Sequence, residues 1–514
     1  MPDRLLHHFL RQPGQQTATI DLDGTAWSFD DVLGRALTIA RRLRVRGGTA
    51  GRVVLLRSEP GPLFGVADLA VLVAGGVPAV LPDLTHEQLT AVWRVVDPSA
   101  VIDTTGQDRS LLDDEASRTG TVLHRVDEAN CRPAGTPVEW RAVARRWAEA
   151  RREPAATVVF TSGTTGAPRA VVLNETALVR GVRAWTAQWT ARPTRTLSYL
   201  PISHIAQRLM GHTLMCLYGT TVVASTPGRA ADDLVAYRPD TLLGVPHLWA
   251  RLASASAQND EAGQLLCAAL AGVTTAVNGA AALDRAVAAE LQRRTGIRIA
   301  DAYGATETTV PAFHQPDAAL LGLGRPVGVQ HRLTDEGELL LRGPNLAAGY
   351  VDRWPRLRPV TGRHGWLPTG DLIRAADDGT LHPVGRRASA FKTSRGEMIS
   401  PEPVEAHLLT HPAVIAACLL GHSLPRAVAL VCAPDTATWI PAHVAALQRE
   451  LHDSAEAARR RGDVPWSDLA AVHVLPDSWA DLGLVTSTGK PRRREIHNHY
   501  RHLLTLPESA HAPA

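Results

Sequence analysis

Six consecutive residues in the stretch "VVFTSGTTGAPRAVVLN" are threonine, serine or glycine: Thr161, Ser162, Gly163, Thr164, Thr165 and Gly166. Glycines let backbone N–H groups converge and hydroxyls add donors, so such a run can cradle the oxygens of a polyphosphate. Arg169 follows as a cation at its exit. No Gly-Lys-Ser/Thr stands at the spacing of a Walker loop, and the same run would serve equally as a surface hairpin. Further on, a strand-like "IRIADAY" ends at Gly304, and the continuation "GATETT" presents Thr306 and Glu307. A hydroxyl beside a carboxylate can take a phosphate oxygen and Mg2+, a hard cation that prefers oxygen, although a helix N-cap also uses this pair. In "WLPTGDLI" a turn presents Asp371, whose carboxylate can accept hydrogen bonds from a ribose diol; in most turns an aspartate after glycine is structural.

Of 54 basic side chains only two are lysines, Lys392 in "FKTSRGE" and Lys490 in "STGKPRRR". A lysine ammonium is a compact point charge on a flexible stem, able to follow charge between two oxygens where a planar guanidinium would not fit in the same way.

These groups need a scaffold. At 514 residues the chain exceeds one hydrophobic core, so two or more domains are expected. A formal charge of +3 spread along the chain points to neither nucleic acid nor a membrane surface. Five cysteines without paired spacing suit a reducing cytoplasm, and the most apolar stretch, "GVADLAVLVAGGVPAVLP", is interrupted by Asp68 and Pro78 and reads as a buried helix and a core strand. Short β-branched runs alternate with segments of helical period, the pattern of an α/β protein with crossover helices. From about 325 the turn signals crowd together as in an antiparallel sheet or barrel. Beyond "GRRAS" a helix signal, "SPEPVEAHLLTH", and a strand, "AVIAACLLG", open a separate unit. The expectation is an α/β fold with a large N-terminal domain, 1–387, of two α/β subdomains and a strand-rich, barrel-like subdomain, followed by a small mobile α+β domain, 388–514.

Taken in order, the segments resemble the superfamily of adenylate-forming enzymes: acyl-CoA synthetases, luciferases and the adenylation domains of peptide synthetases. "TSGTTGAPR" is similar to its phosphate loop, "NGAAAL" to its adenine-side segment (Asn278, Gly279 and Ala280), "YGATE" to its adenine-stacking and magnesium segment, and "GELLLRGPNLAAGY" to the approach to "TGD". "GRRASAFKTSRGEMISPEPVE" resembles its hinge and following loop, and "STGKPRRR" its catalytic-lysine segment. The resemblance implies ATP and Mg2+ as cofactors. Tyr303 would stack on adenine, Thr306 would hold the α-phosphate, Glu307 and Thr165 would hold Mg2+, and Asp371 would bind the ribose with Arg386 close by. Lys490 would contact the acid's oxygen and the α-phosphate, and Lys392 would enter the site in a second half-reaction. Two departures stand out. Arg169 replaces the family's usual lysine and still supplies a fork-shaped donor to the triphosphate. Ala388 stands where the family usually places aspartate or lysine at the hinge.

The implied chemistry is attack of an acid's oxygen on the α-phosphorus, loss of pyrophosphate, and transfer of the activated acid to a second nucleophile. "YLPISHIAQR", with His204 near the acid and thiol entrance, most resembles long-chain acyl-CoA synthetases and implies coenzyme A as acceptor. A smaller group of similar enzymes, ATP-dependent diazotases of secondary metabolism, activates nitrite and passes it to an aryl amine. A third alternative is a homologue that binds nucleotide or a carrier without catalysis. The partners expected are small-molecule acids and acceptors, the assembly a monomer or homodimer. Between Tyr199 and Gly219, and between Leu243 and Trp249, no charged anchor for the acid is legible.

Overall fold

The computed structural model describes residues 4–45, 49–106, 111–150, 155–161, 168–281, 283–320, 322–422, 424–460, 469–485 and 491–504. Ser162, Gly163, Thr164, Thr165, Gly166 and Lys490 lie outside them. Among the described residues the strands form five sheets. One has nine strands in the spatial order Arg325–Pro326, Phe313–Gln315, Ile299–Tyr303, Thr275–Asn278, Thr241–Gly244, Arg195–Ser198, Thr221–Ala224, Thr17–Ile20 and Ala26–Ser28. From Thr17–Ile20 to Ile299–Tyr303 its neighbours are parallel, so Ser198, Ala224, Gly244, Asn278 and Tyr303 end on one edge. A second has eight strands: Arg356–Arg358, Gly349–Arg353, Arg169–Asn174, Ala155–Thr161, Val77–Val80, Val53–Arg57, Ala100–Asp103 and Val122–Arg125. Its last five are parallel and end together at Thr161, Val80, Arg57, Asp103 and Arg125. Carboxyl edges of parallel strands are where such sheets bind ligands.

The local sequence accounts for these elements. Strands such as Val53–Arg57 and Val77–Val80 are nearly all apolar because helices cover both faces of a parallel sheet. The helix Pro62–Ala74 starts with proline, whose missing N–H costs nothing there, and stops at Gly75, which adopts φ 87° as a left-handed cap. In the helix Glu175–Thr186 the Asn174 side chain accepts from the N–H groups of Thr176 and Ala177.

A four-stranded antiparallel sheet follows: Gln330–Leu333, Glu338–Arg342, Leu367–Ala375 and Leu381–Arg386. Asp371 is corrected here: it lies inside the strand Leu367–Ala375, not in a turn. Gly370 takes φ 74°, and the register with Glu338–Arg342 shifts at this point, so the Pro-Thr-Gly-Asp signal marks an irregularity within a strand. Residues 391–504 build two hydrophobic clusters wholly of their own around the sheet Ala416–Leu420, Ala427–Cys432 and Leu469–Leu475. No helix among the described residues is long and apolar enough to cross a membrane.

Where the two α/β bodies meet, a buried charge is shared. Asp68, 0% exposed in the crossover helix Pro62–Ala74 of the eight-stranded sheet, receives Arg208 Nη2 on Oδ1 at 2.5 Å and lies 2.8 Å from His212 Nε2 through Oδ2. Both partners belong to the crossover between the nine-stranded sheet's Arg195–Ser198 and Thr221–Ala224. Burial opposes charge on Asp68, but Arg208 and His212 hold its pKa down, at about 2. Burial likewise opposes charge on His212; Cys216 and Asp68 outweigh it and raise its pKa from 6.5 to about 10, a direction secured by the carboxylate at 2.8 Å. Removing one member of such a pair leaves the others uncompensated: Asp68→Ala is expected to cost about 3–5 kcal/mol in urea denaturation at neutral pH. The groups facing the imidazole are Asp68, Arg208 and Cys216. Its contribution to stability is complete below about 6.5 and is lost as pH rises through about 10, so the chain should lose stability across that window. Asp68→Asn should flatten the loss.

Candidate active site

At the carboxyl edge of the nine-stranded sheet, Tyr303 is the last residue of its strand, and its phenol donates to Asp371 Oδ2 at 2.5 Å. Arg386 Nε donates to the other oxygen, Oδ1, at 2.8 Å. The register sets this up, because Asp371 and Arg386 are direct partners across antiparallel strands. One carboxylate therefore joins the end of a parallel strand to the four-stranded sheet. Burial, and then the neighbouring Asp371 charge, raise the pKa of Tyr303, so the phenol remains a donor. The Tyr303 ring also packs edge-on against Phe313, with centroids 6.1 Å apart.

Past Gly304 the chain makes a single 3-10 turn, Thr306–Thr308. Space at Gly304 is tight: a Cβ there would lie 3.0 Å from the Cα of Pro311 and from Thr308 Oγ1. Thr309, which closes the turn, takes φ 64°, a strained conformation for a β-branched residue. The turn presents Glu307, whose Oε1 accepts from the Tyr350 phenol at 2.8 Å. Burial, then Glu307, push the Tyr350 pKa up to about 12. The guanidinium of Arg169 sits 5.8 Å from the centroid of the Tyr350 ring. Arg169 pairs with Thr161 across the antiparallel strands that flank residues 162–167.

Glu307 fits a shared Mg2+. Among the described residues its second oxygen takes no hydrogen bond, and no group of three or more His, Cys, Asp or Glu side chains is placed to cage a metal. An ion there would draw its remaining oxygens from substrate and water, the usual habit of magnesium.

On the neighbouring strand Asn278 is fully buried; its Nδ2 donates to Ala281 O at 2.7 Å and to Asp301 Oδ1 at 2.8 Å. Its own Oδ1 has no partner among the described residues. Gly279 follows, and Ala280 takes φ 72°. Thr306 is half-buried beside Glu307. His204 precedes the helix Ile205–Arg208, half-buried, with its carbonyl accepting from Arg208 N. Lys392 is exposed in a two-stranded ribbon with Met398–Ile399. His204 and Lys392 are not among the partners of Asp371 or Glu307 named above.

Two site residues escape sequence reasoning. Tyr350 closes the quoted segment "GELLLRGPNLAAGY" with nothing local to mark it, because its role depends on a partner 43 residues away in the chain. Asp301 carried a signal, since strand alternation puts it on the same face as Tyr303. Burial raises its pKa from 3.8 to about 6, with the Asn278 hydrogen bond opposing. Between those values the folded chain holds a proton that the unfolded chain releases, so stability falls as pH rises through the window and is level above it. Asp301→Asn is expected to abolish that slope and to raise stability near neutral pH by up to about 3 kcal/mol, measured by urea melts on both sides of the window.

Comparison with known proteins agrees with this architecture. Residues 6–351 match the model of the AMP-binding enzyme family. A long-chain-fatty-acid–CoA ligase of Mycobacterium tuberculosis, FadD15, is 26% identical over 528 aligned positions covering 88% of this chain and 87% of that protein. A sulfoacetate–CoA ligase of Cupriavidus necator is 31% identical over 284 positions, 52% of this chain and 54% of that one. The crystal structure of ATP-bound MatB from Rhodopseudomonas palustris superposes with a TM-score of 0.77 at 20% identity, covering 98% of this chain and 100% of that chain. The anthranilate CoA ligase AuaEII in complex with anthranoyl-AMP gives 0.77 at 19% identity, with 97% of each chain covered. The family match covers well over half of the sequence: the chain belongs to the AMP-binding enzyme family and is an AMP-forming, adenylate-forming ligase.

Proposed function

We propose that the chain activates an acid with ATP, forming its mixed anhydride with AMP and releasing pyrophosphate, and then transfers the acid to coenzyme A. One observation carries this reading: a continuous line of contacts crosses three sheets. It runs from Arg169 over Tyr350 to Glu307, through Gly304 to Tyr303, and on to Asp371 and Arg386. Its cationic, metal-binding and diol-accepting groups fall in the order of a nucleotide laid from triphosphate to ribose. Asp371 would bind the ribose hydroxyls, Tyr303 would face the base beside Asn278, Gly279 and Ala280, and Thr306 would hold the α-phosphate. Arg169 and the Thr161–Gly166 run would take the outer phosphates. Glu307, with Thr165, would hold Mg2+, which when bound offsets phosphate charge as pyrophosphate departs. Lys490 would bridge the acid's oxygen and the α-phosphate, with binding at a fixed geometry supplying much of the rate.

The two clusters built only from residues 391–504 support a separate unit that pivots near Ala388 between the two half-reactions, bringing Lys490 and then Lys392 to the site. Arg387 donates to Glu338 Oε2 at 3.0 Å, and the Arg386 carbonyl accepts from Ser389 and Ala390, so this pose is held although residue 388 has no polar side chain. The similarity to acyl-CoA ligases supports coenzyme A as acceptor, with His204 at the entrance for acid and thiol. A second reading, nitrite activated and passed to an aryl amine, is favoured by a small cavity, mostly apolar in its walls, beside Gln207 Nε2 and His212 Nδ1, both unpartnered among the described residues.

AMP release from ATP with an acid and coenzyme A, against nitrite and an aromatic amine, separates the two acceptors. Lys490→Ala is expected to slow ATP–pyrophosphate exchange about 100-fold or more with an unchanged melting temperature, and an unchanged exchange rate would refute its role. Asp371→Ala should raise the half-saturating ATP concentration about tenfold while the acid's value stays put.

A further inference from the structure

Between the helical segment 205–218 and the face of the nine-stranded sheet lies a cavity bounded by Thr19, Phe64, Ser198, Gln207, Gly211 and His212 among others. The space open to the centre of a water-sized sphere is ≈ 20 Å3. By that measure about 10–15 Å3 holds one water, so the cavity has room for about one or two waters, or the end of a compact polar group, and not a long acyl chain. The helix opens it: residues Leu209–Thr213 form a π turn, a distortion that recurs at functional sites. Gly211 faces the space, where a Cβ would come to 3.6 Å from Gln207 Nε2.

Three buried side chains in and behind its walls keep N–H groups without a partner. Gln207 is 1% exposed; its Oε1 accepts from the Leu200 N–H at 3.1 Å, which fixes the amide and leaves Nε2 without a partner. His212 is 4% exposed; its Nε2 faces Asp68 and Nδ1 is unpartnered. Behind them Arg208, 2% exposed, spends Nη2 on Asp68 and leaves Nη1 unpartnered. All three statements hold among the described residues. One carboxylate thus stands against two cationic side chains, each of the three at most 4% exposed. Buried donors left unmatched are costly, and a surplus positive charge more so, unless something negative sits among them.

We infer that this cavity seats an oxyanion of the acid substrate, accepting from Gln207 Nε2 and His212 Nδ1: nitrite, a short monocarboxylate, or the far carboxylate of a short diacid. The substrate role rests on the proposed activation chemistry; the binding site does not. Nothing in the stretch Tyr199–Gly219 announces it in sequence, because its counter-charge, Asp68, comes from another sheet's crossover.

The test uses the full chain with sodium nitrite, acetate, malonate and octanoate at neutral pH. Binding without ATP is read by titration calorimetry, and activation by anion-dependent ATP–pyrophosphate exchange. At least one of the first three should bind. Gln207→Leu and the cavity-filling Gly211→Val should each weaken that binding about tenfold or more, with half-saturating ATP unchanged and melting temperature checked for both. Preference for nitrite, acetate or malonate assigns the source of the oxyanion, and each supports the site. Only water in the cavity, seen as no heat with any of the three, overturns it. Octanoate as the best ligand, unmoved by Gln207→Leu, also overturns it while leaving activation chemistry intact. Gln207-dependent binding without exchange by any acid would sink the activation reading alone.

Discussion

Asp68 has no access to solvent and yet stays ionised, and that single requirement dictates how the two α/β bodies meet. Its helix belongs to one sheet's crossover, its partners to the other's, and contacts of 2.5 and 2.8 Å tolerate little sliding. An apolar seam of equal volume could bind as firmly, since desolvation consumes most of the Coulombic gain; the paired charges add a directional demand on how the two helices align. With the seam fixed, the ends of two sets of parallel strands stand in one attitude, and Arg169 can lie over a tyrosine that reaches Glu307.

The site then solves one problem twice. A carboxylate in the role proposed here, for a metal ion or a diol, must point in one direction without losing its charge. A phenol does this: Tyr350 for Glu307 and Tyr303 for Asp371, each kept protonated by burial and by the carboxylate it serves. A guanidinium would also orient but would neutralise. Asp371 alone receives one in addition, from Arg386, which suits an acceptor of hydroxyls better than a ligand of a cation.

The groups proposed to touch phosphate or metal stood out as candidates because their chemistry is local: a hydroxyl-and-glycine run, Thr306 with Glu307, a lysine in a chain that otherwise writes arginine. Strand and helix alternation gave the α/β class for the same reason. What stayed hidden depends on distant partners. Asp68 read only as an interruption of an apolar stretch, although a carboxylate in a helix with buried neighbours on every side must have a counter-charge. Tyr350 closed the segment "GELLLRGPNLAAGY" with no local mark of its own. Asp371 read as a turn because Pro, Thr and Gly surround it, and only pairing with two neighbours keeps that irregular segment in a strand. The cavity inferred for the acid's oxyanion was invisible because its counter-charge, Asp68, lies far away in the chain and its π turn leaves no period of its own.

Arg386 and Arg387 are adjacent, yet they serve different masters: one grips Asp371, the other Glu338. Just before them, at Gly385, a Cβ would lie 2.2 Å from that of Ser400, so backbone and the unit beyond are pressed together there. A ligand that competes for Asp371 therefore tugs on the very peptide from which the last 127 or so residues hang. Such leverage works in both directions, as thermodynamic reciprocity demands: whatever posture the tail prefers, it must also set how tightly such a ligand is held.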